Sequence, residues 1–283
     1  MQENPDVSQL LLAAQLAADR AAAYLRRQEG RMRPDSWQAK DKADFVTEVD
    51  RESERMIAET LTQQVPGSVV MGEELSPGQT LVSSPATQSP QSTVTRYPLP
   101  VTWIVDPLDG TTNFLHRFPI YAVSIAAVVN GELTAAVVHH VTPDIRYTAT
   151  AGGGAFAGSE RIAVSTVTDP GHALIGTGVP FKDMGQWPAY DPQLKAVTAA
   201  TAGIRRPGSA SLDLAWVASG RFDGFWELKL APWDLAAGAL LIREAGGIVT
   251  DLEGKPDVLR HTGLVVGNPT IHSWLLRTVS AAK

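Results

Sequence analysis

Asp106 and Asp109 form the pair of residues best suited to chemistry. Residues 103–105 are an apolar stretch that predicts a strand, and Asp106 follows it directly, where Pro107 is expected to end the strand ladder. Across the next turn the two carboxylates can converge, with the carbonyl group of Leu108 between them. Oxygen ligands of this kind suit a hard cation such as Mg²⁺. The same Asp-Pro-x-Asp-Gly pattern is also a common β-turn, so the residues after it decide between the two interpretations.

Those residues are Gly-Thr-Thr-Asn at 110–113. A glycine allows close backbone approach, and free N–H groups at a turn or helix start favour a phosphate. Metal ligands and anion donors therefore fall within one short segment. This combination predicts a site where a metal ion meets a phosphoryl oxygen.

Further acidic residues stand at the ends of predicted elements. Glu73 and Glu74 follow a short strand, Asp234 precedes a helix, and Asp44 and Asp50 flank an apolar stretch. Each has a simpler interpretation: Glu73 and Glu74 as solvated acids, Asp234 and Asp50 as helix caps. Their types alone do not choose between capping and metal binding.

Composition excludes several classes of protein. There is no cysteine, which rules out cysteine phosphatase chemistry and cysteine-based metal sites. With 24 Lys+Arg against 30 Asp+Glu, the formal net charge of -6 argues against a general nucleic-acid binder and against an anionic membrane surface. We see neither an export signal nor an uncharged apolar run long enough for a membrane, and therefore expect a cytoplasmic protein.

Several common catalytic motifs fail. A dinucleotide fingerprint would need a glycine where Phe181 stands, and Ser209 and Ser211 lack the context of a hydrolase elbow. His139 and His140 have no partner at metal-ligand spacing, so we expect them at a strand end or in a turn.

Alternating helical and strand patterns predict a mixed α and β fold. An opening helix lies within the first 28 residues, with Asn4 as cap and Pro5 at its first position. In a second helix, at 50–64, we expect Glu54 to face away from Ile57. The remaining predicted helices cover residues 192–202, 212–219 and 235–244; the predicted strands cover 68–72, 102–105, 121–129, 133–141, 147–150, 162–164, 173–175, 222–228 and 248–250.

Two loops divide these elements. Asn130-Gly131 predicts a tight hairpin. In residues 76–100, Ser, Thr, Pro, Gln and Gly fill 18 of 25 positions, which predicts a mobile surface loop. The glycines at 152–154 begin a turn-rich connection, which we take as the boundary between an N-terminal domain (1–150) with most metal ligands and a C-terminal domain (151–283).

Taken together, the motifs resemble the inositol monophosphatase family, a branch of the magnesium-dependent, lithium-sensitive phosphatases that also includes fructose-1,6-bisphosphatases. The resemblance spans nearly the whole chain. It is carried by DFVTEVD at 44–50, GEE at 72–74, DPLDGTTNFLHRFP at 106–119 and WELKLAPWDLAAG at 226–238. It implies an α+β or α/β fold, a five-layered αβαβα sandwich, and usually a homodimer.

The resemblance also implies a role for individual residues. The implied ligands of two or three Mg²⁺ ions are Glu73, Asp106, the Leu108 carbonyl group, Asp109 and Asp234, with Asp44 supporting a weaker third ion. The implied catalytic residues are Asp50, Thr111 and Glu73, of which Asp50 and Thr111 would orient and activate the attacking water. The implied substrate-binding residues are Gly110, Thr111, Gly208, Ser209, Ala210 and Glu227.

The sequence therefore predicts an enzyme that hydrolyses a small polyol or sugar monophosphate, with inositol 1-phosphate as the first choice and lithium as an inhibitor. Fructose-1,6-bisphosphatase, histidinol-phosphate phosphatase and 3′-phosphoadenosine 5′-phosphate phosphatase activities are alternatives within the enzyme class. A regulatory module that binds a partner protein is the alternative from another class.

Overall fold

The computed structural model describes residues 6–31, 38–41, 44–46, 48–74, 101–260 and 263–282. For 38–41, 44–46 and Arg260 it gives secondary structure without the surroundings of the side chains. The predicted mobile loop at 76–100 lies outside the described residues.

The described residues form seven α-helices and fourteen strands. The helices are α1 (Val7–Gln28), α2 (Glu48–Gln64), α3 (Thr111–Leu115), α4 (Trp187–Ala200), α5 (Ala210–Ala218), α6 (Pro232–Glu244) and α7 (Pro269–Ala281). The strands are β1 (Gln38–Asp41), β2 (Asp44–Val46), β3 (Val69–Gly72), β4 (Val101–Asp109), β5 (Ala122–Val129), β6 (Glu132–His140), β7 (Ile145–Thr150), β8 (Gly154–Ala157), β9 (Glu160–Ile162), β10 (Leu174–Thr177), β11 (Gly203–Arg205), β12 (Gly224–Glu227), β13 (Ile248–Thr250) and β14 (Leu264–Gly267).

Two large sheets carry the fold. In the described residues, the first has seven strands in the order β3-β4-β5-β6-β7-β8-β9, antiparallel except for the parallel pair β3 and β4. The second has five strands in the order β11-β10-β12-β14-β13, with β10 parallel to both β11 and β12. β1 and β2 form a separate antiparallel pair.

Helices cover both faces of each large sheet. Helices α1 and α2 pack on one face of the first sheet, while α5 and α6 lie between the two sheets. Helices α4 and α7 pack against each other, and α7 packs on the outer face of the second sheet. The predicted five-layered αβαβα sandwich is therefore confirmed.

Strand β4 shows how the sequence specifies these layers. All nine of its residues are buried, as expected for a strand covered on both faces. Trp103 and Val105 enter the core beneath α1 and α2, while Ile104 enters the core shared with α5 and α6. Because successive side chains of a strand point to opposite faces, this alternation determines which residues of β4 lie on each face of the sheet.

Helix α1 begins at Val7, two residues after the predicted first position. Asp6 is its N-cap and accepts a hydrogen bond from the Ser8 N–H at 3.0 Å. The predicted cap, Asn4, and Pro5 lie outside the described residues. The buried face is built largely from alanines, which lets the helix lie close against the sheet.

Helix α2 differs from the prediction in one consequential way. Glu54 is fully buried and does not face away from Ile57. Asp50 is not a cap either, since it is the third residue of the helix and only 2% exposed. Both acids share the buried face with Ile57 and Leu61, at spacings of four, three and four residues.

Other boundaries agree with the prediction in part. Asn130 and Gly131 both have positive φ, 52° and 88°, and connect β5 to β6 as a tight hairpin, as predicted. Helix α4 begins at Trp187 and contains Pro192, five residues before the predicted start. The first sheet continues to Ile162, past the predicted boundary at residue 150, and the division into two domains stays a prediction.

In the part of the chain that the structure describes, no helix is both long enough and apolar enough to cross a membrane.

Candidate active site

A cavity of about 760 Å³ opens where β4 ends and where α5 and α6 begin. It brings together most of the residues that the sequence singled out: Glu73, Asp106, Leu108, Asp109, Gly110, Thr111, Gly208, Ser209, Ala210, Glu227 and Asp234. Asp50 reaches this group through a hydrogen bond to Thr111. Asp44 lies in β2, and its side chain is outside the described part of the structure.

Strand β4 does not end at Asp106, contrary to the prediction. Its pairing with β5 shifts register between Asp106 and Asp109 and resumes at Asp109, opposite Ala122. The irregularity accommodates Pro107, which has no N–H to give to a ladder. Within it the Leu108 N–H donates to Asp106 Oδ1 at 3.0 Å, which fixes the direction of that carboxylate.

Asp109 is held by the first turn of α5, one hundred residues further along the chain. Its Oδ2 accepts hydrogen bonds from the Ser209 hydroxyl at 2.7 Å, the Ser211 N–H at 2.7 Å and the Ser211 hydroxyl at 2.5 Å. A carboxylate at a helix N-terminus is also favoured by the helix dipole. These hydrogen bonds connect the part of the cavity formed by α5 to the part formed by β4 of the first sheet.

Asp234 occupies the third position of α6 and not the N-cap, which is Ala231. Its Oδ2 accepts a hydrogen bond from the Ala231 N–H at 2.7 Å. The capping interpretation was therefore wrong in position but right in kind, because the side chain does satisfy a backbone donor at the helix start.

Four carboxyl groups repel one another at this end of the cavity. Burial, together with the charges of Glu73, Asp109 and Asp234, holds the pKa of Asp106 well above its ordinary value. Burial, followed by the charges of Asp109 and Glu73, does the same to the pKa of Asp234. Negative charge concentrated in a desolvated place is relieved by a cation.

The donor chemistry fits Mg²⁺, since these groups and the Leu108 carbonyl offer only oxygen. As they stand, no three Asp, Glu or His side chains of the described residues form a cluster that could hold a metal ion. Asp106, Asp109 and Asp234 each direct one oxygen to a protein donor. Their role as metal ligands stays a prediction.

The turn after β4 has the geometry expected of an anion cradle. Gly110 adopts a φ of 93°, which an L-residue rarely adopts, and an added Cβ would meet the Ile120 carbonyl oxygen at 3.0 Å. Helix α3 then begins at Thr111. The Thr111 hydroxyl lies 3.0 Å from Asp50 Oδ1 and 3.1 Å from the Leu108 carbonyl oxygen, so one proton can serve either acceptor.

Asn113 ties this turn to the opposite wall. Its amide nitrogen donates to the Ile120 carbonyl oxygen at 2.7 Å and to the Pro207 carbonyl oxygen at 3.0 Å, and lies 3.4 Å from that of Gly208. The side chain thus sets the spacing between the predicted phosphate turn and the predicted substrate segment at 208–210.

Glu54 is a residue that sequence reasoning placed wrongly. Its Oε2 accepts a hydrogen bond from the Glu74 N–H at 2.7 Å, and its carboxyl group lies where a Cβ on Gly72 would stand. The Glu73 N–H in turn donates to the Val105 carbonyl oxygen at 3.3 Å. Glu54 therefore supports the turn that carries Glu73 into the cavity. The helical spacing of Asp50, Glu54 and Ile57 was the signal that could have found it.

The cavity is also lined by Glu227, Asp213 and Arg206. Glu227 packs over Gly178, where a Cβ would overlap its carboxyl group, and burial raises its pKa to about 8. Asp213 and Arg206 were not predicted. An acid within the apolar helix at 212–219 was the available signal for Asp213, whereas nothing in the pattern marked Arg206.

Comparison with known proteins decides what this cavity belongs to. The model of the inositol monophosphatase family matches residues 6–283. The chain belongs to that family. Membership makes it a phosphatase, a phosphoric monoester hydrolase, and members of the family are generally metal-dependent.

Relatives of the family match over nearly the full chain. An inositol-1-monophosphatase from Rhizobium meliloti is 44% identical, covering 93% of this chain and 93% of the relative. A putative Nus factor SuhB from Neisseria meningitidis is 41% identical, covering 94% and 95%. Among solved structures, the extragenic suppressor protein suhB from Bartonella henselae has a TM-score of 0.81 at 37% identity, covering 96% of this chain and 98% of that one. An inositol monophosphatase from Anabaena has the same TM-score of 0.81 at 30% identity, covering 99% and 98%.

Proposed function

We propose that this phosphatase hydrolyses the phosphate monoester of a small polyol or sugar, with inositol 1-phosphate as the preferred substrate. The observation that carries the proposal is that a set of carboxylates, the turn at 110–113 and Glu227 line the same cavity. Its volume of about 760 Å³ suits a molecule of that size.

The position of each residue in the cavity suggests its proposed role. The N–H groups at Gly110 and Thr111 lie at the start of α3, where they lack helical acceptors and can hold the phosphate. Asp50 and the Thr111 hydroxyl orient the attacking water, with Asp50 Oδ1 placed to receive a proton through Thr111. The segment 208–210 and Glu227 contact the polyol.

We further propose that Glu73, Asp106, the Leu108 carbonyl group, Asp109 and Asp234 hold two or three Mg²⁺ ions, with Asp44 as a weaker contributor. Bound there, the ions would stabilise charge on the attacking and leaving oxygens of an in-line displacement. The elevated pKa of Asp106 supports the assignment, because its cause is uncompensated negative charge as well as burial.

Phosphate release from a substrate panel tests the proposal. The panel compares inositol 1-phosphate, fructose 1,6-bisphosphate, histidinol phosphate and 3′-phosphoadenosine 5′-phosphate, with Mg²⁺ or with a chelator. We expect the highest kcat/KM for inositol 1-phosphate and loss of turnover with the chelator. A preference for another member of the panel would replace the substrate, and full activity with the chelator would remove the metal.

Lithium inhibition and a homodimer are also proposed, from family membership. A lithium ion competing for a metal position should lower turnover in a way that added substrate does not reverse. Rates across a lithium series at several substrate concentrations test the first, and sedimentation equilibrium tests the second.

A second candidate role is regulatory binding of a partner. Relatives named Nus factor SuhB match this chain at 41% and 42% identity, close to the 44% of a relative named inositol-1-monophosphatase. A deletion strain separates the two roles. Rescue of its phenotype by the catalytically impaired Asp109→Asn variant would support binding, and loss of rescue would support catalysis.

A further inference from the structure

Asp213 is an acidic residue on the cavity wall to which the proposed reaction gives no part. It lies four residues into α5, its side chain lines the cavity, and it is only 2% exposed. Within the described residues its Oδ1 has no hydrogen-bond partner. Buried polar atoms are nearly always hydrogen-bonded, so this atom calls for a donor from elsewhere.

The surroundings of Asp213 make its burial costly. Leu212, Leu214 and Ala215 on either side are fully buried and apolar. A carboxyl group in such a helix lowers stability unless something compensates it. Because Asp213 lines the cavity, a molecule bound there is the nearest source of the missing donor.

The neighbours of Asp213 indicate what kind of donor fits. Burial raises the pKa of Asp213, the charges of Glu227 and Asp109 raise it further, and the guanidinium group of Arg206 partly offsets the shift at both Asp213 and Glu227. Arg206 is exposed at the rim, with its Cζ 4.7 Å from the centre of the Phe181 ring. The cavity lining therefore contains these two carboxyl groups together with the cationic side chains of Arg206, Lys182 and Lys229.

This combination favours a neutral group with several hydroxyls. Hydroxyls donate to carboxylates, and their oxygens can accept from a guanidinium group. An ammonium group would meet the charges of Arg206, Lys182 and Lys229, whereas a hydroxyl can donate to a carboxyl oxygen without adding charge to the cavity.

We propose that Asp213 is a specificity-determining residue that, beside Glu227, accepts a hydrogen bond from a hydroxyl of the substrate's polyol. The assignment rests on the proposed function and concerns recognition of the polyol, which is the leaving group of that reaction. Asp213 takes no part in the transfer of the phosphoryl group itself.

Steady-state kinetics of Asp213→Asn test the assignment. Asparagine keeps the shape but replaces one carboxyl oxygen with an amide nitrogen, which cannot accept a hydrogen bond from a hydroxyl. We expect KM for inositol 1-phosphate to rise about tenfold, equivalent to about 1.4 kcal/mol, with a smaller change in kcat. For 4-nitrophenyl phosphate, whose leaving group bears no further hydroxyl, kcat/KM should not fall, which also shows that the variant folds.

The matched control is Asp191→Asn, which removes an exposed acid that pairs with Lys195 on α4. It should leave both substrates unaffected. An equal loss on both substrates in Asp213→Asn would assign the residue a structural role, and no loss on either would remove it from recognition. When histidinol phosphate is measured as a third substrate, a loss confined to it would identify an ammonium group as the partner. Each of these results overturns the proposal, whereas a wild-type protein that releases phosphate from neither substrate overturns the proposed function instead.

Discussion

Asp109 connects the two halves of the cavity through one oxygen atom. Oδ2 accepts three hydrogen bonds from the start of α5. We propose that the same carboxylate also binds a metal ion, so Asp109 would have a structural and a chemical role.

Replacing Asp109 with Asn separates these two roles. The amide oxygen can keep the serine contacts, so the thermal midpoint should change little. Turnover should fall by roughly 10²-fold or more, because a charged ligand worth several kcal/mol is lost. Thermal unfolding and phosphate release measured on the same sample check this, and a fully active variant would exclude Asp109 from metal binding.

Glu54 is expected to affect the reaction indirectly, by positioning Glu73. It accepts the Glu74 N–H and packs against Gly72, so removing it leaves a buried donor unsatisfied beside Glu73. For Glu54→Ala we expect a loss of about 1–3 kcal/mol in stability. Activity should fall by about 10- to 100-fold, with a higher Mg²⁺ concentration needed for half-maximal rate.

The matched control for this residue is Glu59→Ala, on the exposed side of the same helix. Urea unfolding and Mg²⁺ titrations of both variants make the comparison. If the two variants lose the same stability and need the same Mg²⁺ concentration, Glu54 does not position Glu73.

Among the elements, α7 depends on a single buried cap. Asn268 accepts the N–H groups of Thr270 and Ile271, each at 3.0 Å, and donates to Ser165 Oγ and to the Val167 carbonyl oxygen. Asn268 therefore caps the N-terminus of α7 and also connects the helix to the segment that leads into the second sheet.

Two substitutions of Asn268 should lower the free energy of unfolding to different extents. Serine can still accept from the helix but loses the donated bonds, and alanine loses all of them. We expect Asn268→Ala to cost about 1–3 kcal/mol and Asn268→Ser less, with kcat unchanged in both. Asp169→Ala, at an exposed turn cap, is the control. Equal urea midpoints for all four proteins would show that the cap contributes nothing.

Elements were predictable to the extent that their signals are local. The hairpin at Asn130 and Gly131 follows from two residues, and the helix at 235–244 from its apolar pattern and terminal glycines. The continuation of β4 past Pro107 was not predictable, because proline usually ends a ladder and only the pairing with β5 shows the bulge. The burial of Glu54 depends on Gly72, which is distant along the chain.

The site was predictable in a similar way. Motif residues such as Asp106 and Asp234 were found from sequence because their spacing has a chemical meaning. Asp213 and Arg206 reach the cavity only through the packing of α5 and the chain before it, for which no short pattern exists.

For the whole molecule, the buried acids make stability depend on pH. The pKa of Glu227 is raised to about 8 in the folded protein, from an ordinary value near 4.5. Between these values the unfolded chain releases a proton that the folded protein keeps, so the free energy of unfolding falls as pH rises. Below about 4.5 and above about 8 this group adds no further change.

Glu227→Gln isolates that contribution. In the presence of a chelator, the stability of the wild type relative to the variant should fall between pH 5 and 8, with a slope of at most about 1.4 kcal/mol per pH unit. Urea unfolding of both proteins at three pH values measures it. Parallel curves would show that Glu227 ionises as freely in the folded protein as in the unfolded chain.

The contact between Asp109 and Ser211 has a consequence for the newly made chain. The partners are 102 residues apart, whereas β5, β6 and β7 are joined by short turns. Local pairings close cheaply and early, and distant ones close late. During synthesis the first sheet can therefore form well before α5 leaves the ribosome, and we expect the nascent phosphatase to remain catalytically silent until Asp234 has been added.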